Sequence, residues 1–360
     1  MTDNNKTRIV VGLSGGVDSS AAASLLVEQG YDVVGITLKV WPQDCVSRAE
    51  DKCCGPQAVM DARSVADKLD IPYYLVDESK EFQRDVIDYF AAEYKAGRTP
   101  NPCVMCNEKL KFGNLIDRAR KLGAEYVATG HYARLEQRDG RTVLLRGRDA
   151  RKDQTYFLFS LGQEQLAHMM FPLGELQKSE TREVARCVDL KTAEKQESQE
   201  ICFVPDKDYK KFLTTAGLVE EHRGEIVDTR GQVLGHHDGI EFYTIGQRKG
   251  LGISSPTPMY VIELDPENNR VVVGGEELLL RDEFRIDRCN WIAFDHLAEP
   301  IEASAAIRYN HPGTEATVIP DENGQAKVKL REPQRAVTPG QACVFYQDDL
   351  VVGGGWIMRN

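Results

Sequence analysis

Apolar residues in the first half of the chain recur in two rhythms. Short unbroken runs, Ile9 to Leu13, Asp32 to Val40 with its Val33, Val34, Ile36 and Leu38, and Tyr73 to Val76, carry the signature of strands buried on both faces. Between them, Ala21 to Val27 and Pro56 to Leu69 carry helical spacing, the second with proline near its first turn. Strands alternating with helices of this length predict a parallel sheet covered on both sides, with ligands at the carboxyl ends of the strands. The same reading predicts helices over Glu81 to Lys95, Glu108 to Leu122 and Ser179 to Asp189, and a strand over Glu125 to Thr129. From Tyr132 to Leu145, alternation broken at Asp139-Gly140 predicts a hairpin. Beyond Asp206 the rhythm changes. After one short helix, Tyr209 to Ala216, the segments Gly224 to Asp228, Tyr260 to Leu264, Arg270 to Val273, Ala303 to Ile307, Ala326 to Leu330 and Ala342 to Phe345 are short and strand-like, with turn residues between them. Runs of short strands close into barrels or sandwiches. The fold class expected is therefore α/β: a parallel-sheet domain over 1–206, a small linker domain over 207–280 and a C-terminal β domain over 281–360, closed as a β-barrel or sandwiched.

Composition adds bounds. The 360 residues, 41% hydrophobic and 28% charged, suffice for two or three globular domains. The start Met-Thr-Asp-Asn-Asn-Lys has no apolar signal region, and no stretch of transmembrane length lacks charge, so the expectation is a cytoplasmic protein with no membrane partner. Nine cysteines, an odd number over a long chain, point to a reducing compartment rather than a disulfide framework. A net charge of −11 argues against indiscriminate coating of nucleic acid, yet it says little about any one face. Seven Lys and Arg stand against Glu108 and Asp117 between Lys95 and Lys121, and seven against Glu136, Asp139 and Asp149 between His131 and Lys152. Taken alone, these are solvated faces.

The densest chemistry lies at Gly12-Leu13-Ser14-Gly15-Gly16-Val17-Asp18-Ser19-Ser20, which joins the first strand to the first helix. Gly15 and Gly16 let the backbone turn tightly and offer N–H groups to an anion, and the Ser14 and Ser19 hydroxyls add donors where the helix dipole favours negative charge. This is a phosphate pattern without the lysine of a Walker loop, so nothing in the loop itself reaches for a γ-phosphate. A plain strand-turn-helix elbow would not need a glycine pair framed by three serines and an aspartate. In Thr99-Pro100-Asn101-Pro102-Cys103-Val104-Met105-Cys106-Asn107, two prolines one residue apart predict a stiff loop carrying both cysteines to the start of the next helix. Near a helix N-terminus, with Arg98, Lys109 and Lys111 close in sequence, a thiol there is expected to be acidified and nucleophilic. Gly130 ends a strand where backbone can admit a ligand, and Leu38 stands either at an adenine edge or in the core. Cys202 sits beside Phe203 in an otherwise polar run, unlike a structural cysteine. Cys187, Cys289 and Cys343 lie in apolar patterns and are expected in the core. Cys45, Cys53 and Cys54 are either local zinc ligands or a loop feature.

Ser-Gly-Gly-Val-Asp-Ser resembles the pyrophosphate loop (PP-loop) of the N-type ATP pyrophosphatases, which cleave ATP between the α and β phosphates and activate a carbonyl as its adenylate. Together with Thr-Pro-Asn-Pro-Cys-Val-Met-Cys-Asn, Ala-Thr-Gly-His-Tyr, Lys-Asp-Gln, Glu-Ser-Gln-Glu-Ile-Cys-Phe and Tyr-Thr-Ile-Gly-Gln-Arg-Lys-Gly, the ordered set is similar, across nearly the whole chain, to the bacterial tRNA-specific 2-thiouridylases. The resemblance implies an adenine-nucleotide-hydrolase-like N-terminal fold. It also implies replacement by sulfur of O2 of the wobble uridine (position 34) in tRNAs for Lys, Glu and Gln, with AMP and pyrophosphate released. ATP would be bound by Gly12, Leu13, Ser14, Gly15, Gly16, Val17, Asp18, Ser19, Leu38 and Gly130, with Asp18 helping to hold magnesium. Cys106 would be the nucleophile and Cys202 the persulfide carrier, the two forming a disulfide in the cycle. Asn101, Pro102 and Cys103 would lie at the target base, and His131, Lys152, Asp153, Gln154, Arg308, Tyr309 and Gln341 against tRNA. A cysteine desulfurase or sulfur-relay protein would supply the sulfur. Some members have Asp where this chain has Cys103, and there the carboxylate serves as a base; here a thiolate or another group takes that role. Cys103, Cys106 and Cys202 also suit a [4Fe-4S] cluster with one iron left open. Two other readings remain: an adenylating enzyme of the same superfamily with an amine nucleophile, which needs no thiol, and an RNA-binding sulfur or metal carrier that only borrowed the loop.

Overall fold

The computed structural model describes residues 6–40, 55–195, 201–204 and 208–359. Cys45, Cys53 and Cys54 lie outside them, as does most of the polar run before Cys202. The chain forms two compact units, each drawn from separated segments: Met1–Val86, Cys103–Lys207 and Asp349–Val351 in one, Ile87–Pro102, Asp208–Asp348 and Val352–Asn360 in the other.

The first unit is built on β1 (Arg8–Gly12), β2 (Asp32–Lys39), β3 (Tyr73–Asp77), β4 (Tyr126–Ala128), the hairpin β5 (Ala133–Arg138) and β6 (Arg141–Arg146), and β7 (Met169–Met170). Five of these form a parallel sheet in the order β3-β2-β1-β4-β7, with Ile9 opposite both Val33 and Tyr126. The strand order reverses at β1, so the crevice for a ligand opens at the carboxyl end of β1, where the glycine-rich loop begins. Ile9, Val11, Leu26, Val33 and Ala66 are fully or nearly fully buried between the sheet and the helices Val17–Glu28 and Pro56–Lys68. Each of the buried Ile, Val and Leu side chains is worth roughly 1.5–3 kcal/mol of transfer free energy. The hairpin turns at Asp139 and Gly140, both with positive φ, as a two-residue turn matched to strand twist requires.

The second unit holds a four-stranded sheet and a barrel. β8 (Gly224–Val227), β9 (Val233–His237), β10 (Tyr260–Asp265) and β11 (Arg270–Gly274) pair in the order β10-β11-β8-β9 over a core of Ile226, Val261, Leu264, Val271 and Val273. β12 (Leu280–Trp291), β13 (Ile301–Ala306), β14 (Thr314–Pro320), β15 (Ala326–Arg335), β16 (Ala342–Gln347) and β17 (Leu350–Ile357) follow in the order β12-β15-β14-β13-β16-β17. Pairing of β12 with β17 closes the barrel and leaves no edge. Its interior is filled by Phe284, Ile286, Ala305, Val318, Val328 and Phe345. No helix among the described residues is long and apolar enough to cross a membrane.

Two expectations are corrected. Cys103 and Cys106 are not on a loop: Pro102–Met105 is a helical turn and Cys106–Asn114 continues it as a π-helix. Proline at the first helical position forfeits no hydrogen bond, so Pro102 starts this helix instead of preventing it. Cys187 is not in the core but exposed, on the last turn of the helix Lys178–Cys187, whereas Cys343 is buried and Cys289 half-buried.

Candidate active site

The glycine-rich loop follows β1 and caps the helix Val17–Glu28. Gly15 has φ +70°, and a Cβ there would lie 2.2 Å from the carbonyl oxygen of Ala58, so both conformation and space demand glycine. Gly16 is the N-cap, extended, with no side chain capping the first turn. The N–H groups of that turn therefore keep their capacity for an external acceptor. The hydroxyl expected of Ser19 as a ligand donor is used inside the loop: Ser19 Oγ donates to the Gly16 carbonyl (3.1 Å) and accepts from the Ser14 N–H (3.1 Å). Thr37 Oγ1 on β2 donates to the Leu13 carbonyl at 2.7 Å and fixes the loop to the sheet. Leu38, next on β2, is half-buried. At Gly130 a Cβ would stand 2.6 Å from the Asp18 carbonyl carbon and 2.7 Å from the Ser19 nitrogen. Glycine there brings the end of β4 against the loop's own backbone, a packing requirement beside the ligand contact expected of it.

Asp18 ties the loop to residues far away in sequence. Its Oδ1 accepts from Lys178 Nζ at 2.6 Å and from the Tyr132 hydroxyl at 3.0 Å, and that hydroxyl lies 2.9 Å from Thr181 Oγ1. Lys178 is the first residue of its helix, whose start is set by a capping box between Gln177 and Glu180. A second lysine, Lys195, reaches the Gly15 carbonyl at 3.1 Å and Asp61 at 2.6 Å. Sequence reasoning missed both lysines, because they come from more than 150 positions downstream. One signal was available: Gln177-Lys178-Ser179-Glu180 reads as a capping box with a cation in the first turn, where the helix dipole disfavours one.

The cysteine helix is pinned from several directions. Gln165 Nε2 donates to the carbonyls of Glu108 (3.2 Å) and Phe112 (2.8 Å), serving acceptors along the π-helix. Asn107 Nδ2 donates to the Phe157 carbonyl at 3.1 Å, while Asn107 Oδ1 is buried with no partner among the described residues. The carboxylate of Glu78, 1% exposed, takes a hydrogen bond from Asn114 (2.7 Å) and an ion pair from Arg118 (3.1 Å). Cys103 and Cys106 are half-buried on this helix; Asn101 and Pro102, just before them, are buried. Cys202 is half-buried beside Phe203, whose buried ring meets Phe82 edge-on at 5.7 Å.

Several residues expected against RNA have duties within the protein. Asp153 accepts from Arg146, the Gly147 N–H and Thr155, and Gln154 Oε1 accepts from the Tyr132 N–H at 3.0 Å. Gln341 Nε2 donates to the carbonyls of Thr99 and Pro100 at 3.0 and 3.2 Å, holding the strap that leads to Pro102. His131 packs against the rings of Phe112 and Phe171, and burial, aided by Lys111, holds its pKa well below the usual 6.5. Arg308 is exposed, as is Tyr309. In the two basic segments, Arg98, Lys109, Arg118, Arg120, Arg134, Arg138 and Arg146 all have carboxylate partners.

One carboxylate with phosphate oxygens and water suits magnesium, and Asp18 offers one. A cluster is different. No group of three or more His, Cys, Asp or Glu among the described residues is arranged to hold a metal ion, so Cys103, Cys106 and Cys202 do not form the three-thiolate set that a [4Fe-4S] cluster needs.

Three family models cover the chain: one described as a tRNA methyl transferase HUP domain over residues 7–206, one as a tRNA methyl transferase PRC-barrel domain over 210–275, and one as an aminomethyltransferase beta-barrel domain over 281–357. The chain is 50% identical over 353 residues to the tRNA-specific 2-thiouridylase MnmA of Clostridium perfringens, covering 98% of both. It is 51% identical over 351 residues to that of Moorella thermoacetica, covering 97% of this chain and 98% of the relative. For that of Geobacter metallireducens the identity is 51% over 362 residues, covering 99% and 98%. Solved structures match more weakly: a 4-thiouridine synthetase–RNA complex with bound ATP is 18% identical over 59% of this chain and 50% of that one, at a TM-score of 0.35, and adds nothing to the assignment.

Proposed function

Since the chain belongs to the tRNA-specific 2-thiouridylase family, we propose that it is an ATP-using tRNA sulfurtransferase that converts the wobble uridine (position 34) of tRNAs for Lys, Glu and Gln to 2-thiouridine. The observation that carries this reading is the loop at the end of β1: a left-handed Gly15, an uncapped helix N-terminus and Asp18 beside it, with two cysteines on a pinned helix of the same unit.

In this reading ATP is split between its α and β phosphates, and the uridine C2 oxygen takes the adenylyl group as pyrophosphate leaves. The first-turn N–H groups and Asp18 serve the pyrophosphate end, and magnesium held with Asp18 would supply charge neutralisation there. Cys202 carries a persulfide received from a cysteine desulfurase or sulfur-relay protein. Its terminal sulfur attacks C2, and the tetrahedral adduct expels AMP together with the old oxygen. The Cys106 thiolate then attacks Cys202, breaking its bond to the transferred sulfur, and a Cys106–Cys202 disulfide forms. A dithiol reductant supplies the two electrons that reset the pair. Cys103, one helical turn before Cys106, is the proposed base in place of the carboxylate, acting as its thiolate. We place the reaction in the cytoplasm, where thiols stay reduced.

Incubating the chain with unmodified tRNA, ATP, a dithiol reductant and a cysteine desulfurase with its cysteine substrate, followed by mass spectrometry of anticodon nucleosides, tests the proposal. 2-Thiouridine at the wobble position with AMP as coproduct is expected. Stoichiometric ADP, or a methylated nucleoside such as the family-model descriptions would suggest, overturns it. Turnover that survives replacement of Cys202 would favour an amine-using relative.

A further inference from the structure

We propose that Lys178 is a phosphate-binding residue of the nucleotide site, and that it works by exchanging its partner Asp18 for an oxygen of the pyrophosphate end of ATP. The proposal rests on reading the glycine-rich loop as a pyrophosphate site. It assigns the cation that the loop's own sequence lacks.

Lys178 stands where a cation is poorly placed for helix stability. It opens the helix Lys178–Cys187, whose dipole repels positive charge at that end, and its own N–H is already taken by Asp149 Oδ2 at 3.0 Å. Its side chain is only 12% exposed, so the ammonium has given up most of its water. Among the compensating contacts are Asp18 Oδ1 at 2.6 Å and the face of Tyr132, 5.7 Å from Nζ to the ring centroid. Asp18, 30% exposed, lies in the first turn of the helix that the loop caps. The ammonium is thus held at the phosphate loop by the Asp18 carboxylate. Magnesium pyrophosphate is a complementary pair: Asp18 can turn to the metal ion and Lys178 to a phosphate oxygen, and the charges at the loop stay matched throughout. Lys195 is differently placed, since its ammonium is spent on the Gly15 carbonyl and Asp61, and it braces the loop.

Calorimetric titration of the full chain with inorganic pyrophosphate and with AMP decides the matter. With magnesium, Lys178→Met should lose about ten- to a hundredfold in pyrophosphate affinity, the range of one charged hydrogen bond, while AMP affinity stays within about twofold. Lys178→Arg should recover most of the loss. With a chelator present, Asp18→Asn should bind pyrophosphate more tightly than the unsubstituted chain, because the Asp18 carboxylate no longer competes for Lys178; adding Lys178→Met should abolish that gain. The inference is overturned if Lys178→Met leaves pyrophosphate binding unchanged, or weakens AMP and pyrophosphate equally, which would make the lysine a brace. It is also overturned, even if Lys178→Met does not fold, when Asp18→Asn binds no more tightly without metal. An unsubstituted chain that binds neither pyrophosphate nor ATP would overturn the nucleotide reading itself.

Discussion

At the scale of single residues, burial and position separate thiols that look alike in sequence. Burial pushes the Cys289 thiol up to about 12 and the Cys343 thiol higher still, so both stay protonated and inert at neutral pH. Cys187, exposed on its helix, is accessible. Iodoacetamide at neutral pH should therefore modify Cys187 well before Cys343, and peptide mapping that finds Cys343 labelled first would show that the barrel core is not closed. For the two thiols of the proposed reaction, Cys202→Ser should still adenylate tRNA with release of pyrophosphate but transfer no sulfur from a donor protein. Cys106→Ser should stop turnover, because a hydroxyl cannot resolve a persulfide. Donor-dependent thiolation surviving either change would remove that residue from the scheme.

Among the elements, the helix from Pro102 through the π-helical stretch to Lys121 carries two of the proposed reactive groups and depends on side chains outside itself. The Glu78–Arg118 pair is the most exacting support, because Glu78 is buried and Arg118 is its cation. Arg118→Met should leave that carboxylate short of its partner and cost about 3–5 kcal/mol, the usual penalty for stranding a buried charge. A denaturant midpoint unchanged by this substitution would mean that water reaches Glu78. Replacing Glu78 and Arg118 together by Gln and Met should cost less than Arg118→Met alone, for the same reason.

For the whole molecule, two solution properties follow. Burial lowers the pKa of His131, His237 and His311 below the ordinary 6.5. His237 and His311 also accept a backbone N–H at Nδ1, from Gly239 and Gly313, which protonation of that nitrogen would oppose. Folded histidines that refuse a proton which the unfolded chain accepts make stability fall as pH drops below about 7 through 6.5. The carboxylates act elsewhere: Asp77, lowered to about 2, contributes fully above 3.8 and loses its contribution only at more acid pH. A denaturant midpoint that falls between about pH 7.5 and 5.5 is expected, and the slope should flatten when His237 and His311 are both replaced by Gln; a flat profile in the unsubstituted chain contradicts this. The second property is salt dependence. With so many arginines of the basic segments already on carboxylates, Arg120→Gln should barely alter tRNA affinity, whereas Arg308→Gln should lower the log–log salt slope by about one if it meets a phosphate. Equal slopes for Arg308→Gln and the unsubstituted chain would exclude that contact.

What the sequence determined by itself is what short-range physics controls. The strand-loop-helix at Arg8–Glu28, the alternation that builds the parallel sheet, and the Asp139-Gly140 hairpin were legible because hydrophobic period and glycine torsion are local properties. β9, β12, β14 and β17 were not recognised. β12 alternates charge with single apolar residues and β17 contains Gly353-Gly354-Gly355, and their mutual pairing closes the barrel; β14, rich in threonine and charge, is a strand because β13 and β15 pair with it on either side. The helical turn at Pro102 was misread because proline's prohibition lifts at a helix start, and where a helix starts depends on what packs around it. At the nucleotide loop the motif named the anion-binding backbone. Tertiary structure alone brought Lys178 onto Asp18 and Lys195 onto Gly15, because an ion pair between residues 160 positions apart leaves no periodic trace in either segment.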